Sequence, residues 1–139
     1  MSNYPAEPAA TLDPDVQRAL RHGHTIDITT TGRTSGEPRR IEIVFFNIGG
    51  RIYISGMPNP SHERAWLLNL EADPRMTFHL KGPVRADLPA RARVMRDPAE
   101  RGPIIEHVAR AWRRDPDVMQ AYSPLIEVTI PGYEAAPGS

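Results

Sequence analysis

The stretch from His24 to Met57 narrows the fold more than any other part of the chain. HTIDITTT alternates β-branched and polar residues, GRTSGEP supplies a turn, and RRIEIVFFNIG resumes the alternation before Gly49 and Gly50 turn the chain into RIYISGM. Alternation of period two, bounded by glycine turns, predicts three consecutive antiparallel strands, because connections this short cannot make the crossover a parallel pair needs. Downstream, RMTFHLKG reads as a fourth strand, VRADLPARARVMR as a long fifth and SPLIEVTI as a sixth. Pro89 falls inside the fifth, where a missing N–H calls for a bend, a bulge or an edge.

Three helices are predicted among these strands. Asp13 can cap LDPDVQRALRHG with Pro14 in the first helical position and Gly23 as the stop, giving a short helix that covers a barrel end or sheet edge. Ser61 is expected to cap a second helix of about three turns, with Ala65, Trp66, Leu68 and Leu70 as its apolar stripe and Asp73-Pro74 as its end. Asp97-Pro98 opens the third, where Gly102 and Pro103 are expected to interrupt the first turns and leave a cleaner segment from Ile104 to Arg113. No sustained strand–helix–strand alternation is present, which argues against a doubly wound parallel sheet. The expected fold class is mainly β (α+β), a split β-barrel of about six mostly antiparallel strands with three helices. Residues 12–133 are read as one domain, with residues 1–11 and 134–139 as flexible segments.

Composition then bounds the chemistry. A chain of 139 residues has room for one core. Seventeen basic residues balance seventeen acidic ones, so no global field favours nucleic acid and any anion site is local. Cysteine is absent, which removes disulfides, thiolate nucleophiles and cysteine-ligated metals. The histidines His22, His24, His62, His79 and His107 show no metal-ligand spacing, and no metal is expected. No apolar run approaches the roughly 18 residues of a membrane span and no leader pattern opens the chain, so a cytoplasmic location without an integral membrane segment is expected. Hydrolase readings lack a nucleophile signature.

Two segments carry the chemistry. In TTTGRTSGEPRR, two glycines, Thr34 and Ser35, and Arg33, Arg39 and Arg40 crowd one strand connection. Glycine lets the backbone expose successive N–H groups and arginine supplies a charged fork, a combination suited to phosphate or carboxylate. The same residues also make an ordinary polar hairpin turn. The second segment, SGMPNPSHERAWLLNLEADPRM, is a strand end, a proline-rich loop and a helix that together can approach a flat ring. Trp66 is read as core in preference to pocket wall, and Asn69 as an amide that stitches helix to strand.

TTTGRTSGEPRRIEI followed by YISGMPNPSHERAWLLNLEADPRMTFHLKG resembles the deazaflavin (F420)-dependent nitroreductase family, within the flavin reductase and pyridoxamine-phosphate-oxidase-like, FMN-binding split β-barrel superfamily. The shared pattern is Gly-Arg-x-Ser-Gly-x-x-Arg, two strands, a loop, then Trp-x-x-Asn-Leu-x-x-x-Pro, over roughly residues 24–81. The resemblance implies an oxidoreductase passing hydride between coenzyme F420 and a small organic acceptor: a quinone, an enone or a nitro compound. FMN is the alternative cofactor, and a noncatalytic cofactor carrier the alternative function. Carried over by position, Arg33, Thr34, Ser35, Gly36 and Arg39 would hold the phosphate-bearing tail, while Ser55, Gly56, Met57 and Asn59 would approach the ring. Relatives often carry lysine or arginine at the position of Thr34, so one cation of that contact is absent here. His62 and Tyr122 are the candidate catalytic residues, as proton donors. A homodimer is expected, since a short chain gains core by pairing exposed strands.

Overall fold

The structure, a computed structural model, describes residues 12–135; the segment 1–11 and positions 136–139 lie outside the described residues. Six strands, β1 (Thr25–Thr31), β2 (Pro38–Ile48), β3 (Arg51–Ser55), β4 (Arg75–Lys81), β5 (Arg85–Val94) and β6 (Leu125–Thr129), form a closed barrel in the order β1-β2-β3-β6-β5-β4. Every pairing is antiparallel. The two longest strands build the split. The first half of β2, Pro38–Val44, pairs with β1 and its second half, Phe45–Ile48, with β3. Likewise β5 pairs with β4 over Arg85–Arg91 and with β6 over Arg91–Val94. Two sheets therefore share β2 and β5 as their borders. Pro89 opposes Thr77 of β4 in the half of β5 without a β6 partner, where the missing N–H costs no ladder bond.

Among the described residues four helices are present, α1 (Pro14–His22), α2 (Ala65–Ala72), α3 (Pro98–Trp112) and α4 (Pro116–Tyr122), one more than expected. The missed helix carries the same Asp-Pro signal as α1 and α3. Asp115 caps it through Asp117 N and Val118 N, with Pro116 in the first turn. The expected interruption of α3 is also corrected, for the helix runs unbroken through Gly102 and Pro103. Proline there removes one bond in the second turn, while burial of Ile105, Val108 and Ala109 and the anchoring of Arg101 hold the helix along its length. Ser61 does not cap α2. Asn59 Oδ1 takes the Ser61 N–H at 3.0 Å, holding that stretch as a turn, and the helix starts four residues later, after Arg64 and without a side-chain cap. Its buried face is Trp66, Leu67, Asn69 and Leu70, whereas Ala65 is exposed.

One core fills the barrel with Ile26, Ile28, Phe45, Ile52, Ile54, Phe78, Ile126 and Val128, Phe45 and Phe78 meeting edge to face at 5.1 Å. A second lies outside β3 and β6, where Tyr53 and Leu125 meet Met95, Ile105, Val108 and Met119. β3 is consequently buried on both faces, which is why RIYIS is more apolar than a half-exposed strand would be. On the outer face of the other sheet, His79 bonds Thr29 Oγ1 and Asp87 Oδ1, each at 2.7 Å, and staples β1, β4 and β5 together. Glu134, assigned in the sequence to the tail, donates its N–H to Gln17 Oε1 at 3.1 Å and accepts from Arg21, closing the chain end against α1.

Candidate functional site

Two cavities flank the start of α2. The first, about 580 Å³, lies between the β1–β2 loop and the helix, with Arg33, Thr34, Ser35 and Arg39 on one side and Ala65, Trp66 and Asn69 on the other. The second, about 330 Å³, lies between the stretch Asn59–Leu67 and the region from Arg101 to Leu125, and its lining includes His62, Arg64 and Tyr122. Within α2, Ala65, Trp66 and Asn69 face the first cavity while Leu67 faces the second, the separation that a helical period of 3.6 imposes; Glu63 and Arg64 line the second from the stretch before the helix.

The β1–β2 loop is held shut by its own backbone. Gly32 N–H donates to Glu37 O and Gly36 N–H to Gly32 O, both at 2.8 Å, and Glu37 N–H reaches Ser35 Oγ at 3.1 Å. A side chain at Gly32 would displace the Ser35 hydroxyl: a Cβ would lie 2.6 Å from Ser35 Oγ and 3.3 Å from Glu37 O. Gly36 turns the chain at φ +73° in open space and does not line the cavity. These bonds revise the expectation of a cradle of free N–H groups. Those of Gly32, Arg33, Gly36 and Glu37 are spent inside the protein, so an anion would meet guanidinium first.

Asn69 sets that guanidinium. It is 4% exposed, accepts at Oδ1 from Arg33 N (3.0 Å) and Arg33 Nη1 (3.2 Å), and donates from Nδ2 to Thr30 Oγ1 at 3.2 Å. One amide thus joins α2, β1 and the loop, and its neutrality leaves the Arg33 charge available. Neither Arg33 nor Arg39 has a carboxylate within 4 Å among the described residues. Trp66 belongs to the barrel core and also walls the cavity. Asn69→Asp should keep the fold, because a carboxylate accepts from the same Arg33 donors and the Thr30 hydroxyl, which accepts from Asn69 Nδ2, can rotate to donate to it instead. It should weaken binding of a phosphate-bearing ligand about tenfold by neutralising Arg33. Titration of wild type and variant with the ligand, beside their unfolding temperatures, checks this; equal affinity would reduce Asn69 to a structural staple.

The predicted ring contacts are dispersed. Ser55 is buried and donates Oγ–H to Pro124 O at 2.6 Å, fastening β3 to the start of β6, so it lines neither cavity. Gly56 admits the close approach of Pro124 and Arg64, which a Cβ would meet at 3.2 and 3.4 Å. Met57 turns its side chain outward and accepts from Arg64 Nη2 at 2.8 Å through its carbonyl. Asn59 lines the second cavity and donates its N–H to Tyr122 O at 3.2 Å. His62 and Tyr122, distant in sequence, line that same cavity.

Beneath it lie groups the sequence did not single out. Arg101 is 8% exposed and donates to the carbonyls of Met95, Gln120 and Ser123 at 2.8–3.0 Å, with Met119 O at 3.4 Å. Burial lowers its pKa from the ordinary guanidinium value. Arg96 grips Glu63 through Nη1 and Nη2 and Glu71 through Nε. In sequence these were arginines in charged runs; the α3–α4 packing buries Arg101, whereas Arg96 stays exposed and bridges two surface carboxylates. Hydrogen bonds from Arg96 hold the Glu63 and Glu71 carboxyls below their ordinary 4.5. Depressed carboxylates add stability that is complete above the unfolded value and lost as pH falls through the folded one. The unfolding temperature should therefore drop on acidification below pH 4.5, and Arg96→Gln should flatten that limb. An identical acid limb in the variant would show that the cluster contributes nothing.

The chain is thus a small six-stranded split-barrel protein with a cationic loop cavity beside a second, mixed cavity. The model of the family described as F420H(2)-dependent quinone reductase matches residues 9–129, and the chain belongs to that family. It is an F420-dependent oxidoreductase, as the sequence resemblance implied. Solved structures share the fold at low identity. A conserved hypothetical protein from Mycobacterium tuberculosis is 16% identical, with 89% of this chain and 83% of that chain covered and a TM-score of 0.64. An F420-H2 dependent reductase (FDR-A) is 18% identical over 76% of this chain and 93% of its own, TM-score 0.58. The heme storage protein HutZ from Vibrio cholerae is 16% identical over 89% and 97%, TM-score 0.59. Among the described residues no helix is long and apolar enough to cross a membrane, and no cluster of three or more His, Asp or Glu side chains suits a metal ion.

Proposed function

We propose that this oxidoreductase reduces a small planar acceptor, a quinone, enone or nitro compound, in the cavity of His62 and Tyr122, while the phosphate-bearing tail of the coenzyme rests against Arg33, Thr34, Ser35 and Arg39. The observation that carries the reading is the pair of guanidinium groups without a carboxylate partner among the described residues, in an open cavity walled by Trp66. The residues present fit a phosphate, since two forks face it and Asn69 holds one of them in place. Reduced F420 supplies a hydride when bound. The chain then has three tasks: to hold the tail by charge, to exclude water around the acceptor and to present a proton. The Tyr122 hydroxyl and the His62 ring are the proton-bearing groups of the second cavity, and one hydride plus one proton completes a two-electron reduction.

The same reading includes a cytoplasmic location, a domain spanning 12–133 and a homodimer. The half of β2 at Pro38–Val44 has no strand on its second side among the described residues, an edge that a second copy can extend. Sedimentation equilibrium decides the assembly. For the activity, the test is a single turnover under anaerobic conditions with reduced F420 and menadione, an enone and a nitroarene in turn. Oxidation of the coenzyme well above the protein-free rate is expected for at least one acceptor. Coenzyme that binds yet stays reduced with all three would replace the enzyme reading by a carrier.

A further inference from the structure

The second cavity is more cationic than a neutral quinone requires. Its lining holds Arg64, Arg96 and Arg101 against a single carboxylate, Glu63. Arg96 is accounted for by Glu63 and Glu71. Arg64 and Arg101 have no carboxylate within 4 Å among the described residues. The carbonyls around Arg101 orient its fork but carry no charge, so a whole positive charge remains under the cavity floor, where low dielectric lengthens its reach. Arg64 spends one bond on Met57 O and keeps its other donors at the wall. In the same lining the buried Ser123 hydroxyl has no hydrogen-bond partner among the described residues, an orphan that a ligand acceptor would satisfy. Tyr122, 49% exposed, adds an aromatic face at the rim.

We propose that this cavity selects acceptors bearing a carboxylate, the anion held by Arg64 and Ser123 above the Arg101 charge and the conjugated ring lying along Tyr122. The inference rests on the reading of this cavity as the acceptor site. The coenzyme phosphate is a poorer candidate for the anion, because Arg33 and Arg39 already serve the loop cavity on the opposite side of α2. Arg96 bridges Glu63, at 2.7 and 3.0 Å, and Glu71, a trio with one net negative charge, against which Arg64 and Arg101 bring two positive ones and leave the cavity cationic.

The test compares a naphthoquinone carboxylic acid with its methyl ester, in wild type and in Arg64→Gln, which keeps a donor for Met57 O. Wild type should favour the acid about tenfold in kcat/KM with reduced F420, through KM, and in calorimetric affinity without turnover; the variant should bring both ratios close to one. Coenzyme affinity should stay at its wild-type value, and the acid-to-ester ratio is taken within each protein. Equal treatment of acid and ester by wild type would overturn the proposal, and so would a variant that loses coenzyme affinity while keeping the acid preference. Failure of every quinone to oxidise the coenzyme would sink the acceptor reading instead, and the calorimetric ratio would still test the anion site.

Discussion

Replacing Arg33 and Arg39 together with glutamine will weaken F420 binding about a hundredfold, with the unfolding temperature within about 2 °C of wild type. Both side chains are exposed at the loop cavity and neither pairs with a carboxylate, so their charge is committed to nothing inside the described protein. A charge-assisted hydrogen bond contributes about 1.5–3 kcal/mol, and solvent access places each of these near the lower figure, or about tenfold per arginine. Fluorescence titration of the deazaflavin at low and high salt measures it. The wild-type affinity should fall steeply with salt and that of the double variant only weakly. A double variant that binds as wild type does would move the phosphate away from this loop and remove the basis of the proposed tail site.

Arg101→Met should destabilise the fold by about 3 kcal/mol, the largest effect expected from a single charged side chain in this protein. The guanidinium ties the end of β5, through Met95 O, to the end of α4 and the approach to β6, through Gln120 O and Ser123 O. Methionine fills similar volume but leaves these buried carbonyls without donors. Urea denaturation is the measurement, with Arg93→Gln as the control. Arg93 bridges Glu100 and Glu127 at the surface, and its loss should cost about 1 kcal/mol or less. Equal losses in the two variants would mean that water replaces the Arg101 bonds and that α4 is less firmly seated than its hydrogen bonds imply.

Much of the barrel was legible because strands declare themselves locally. The six alternating runs lie within a few residues of the observed strands, and Pro89 sits on the half of β5 that pairs with β4 alone, where its missing N–H is tolerated. Helix ends were less legible. Asp-Pro opens three helices here but ends α2 at Asp73, so the dipeptide acquires its meaning only from what packs beyond it. Pro103 shows the same limit from the other side, for buried contacts along α3 outweigh a local breaker.

The arginine-rich hairpin loop and the Trp-x-x-Asn helix were visible as motifs, since each is a run of neighbours whose chemistry needs no distant partner. Their meeting across one cavity was not, and neither was the amide of Asn69 holding Arg33. The sequence alone determined the strand pattern, the balanced charge, the absence of thiol chemistry and the arginine-only character of the loop. Tertiary structure alone decided which arginines stay free. Arg96 and Arg101 differ little from Arg33 as letters, and only folding brings carboxylates to one, carbonyls to another and open space to the third. Charge availability depends on neighbours within about 4 Å, and in this barrel those neighbours come from far along the chain.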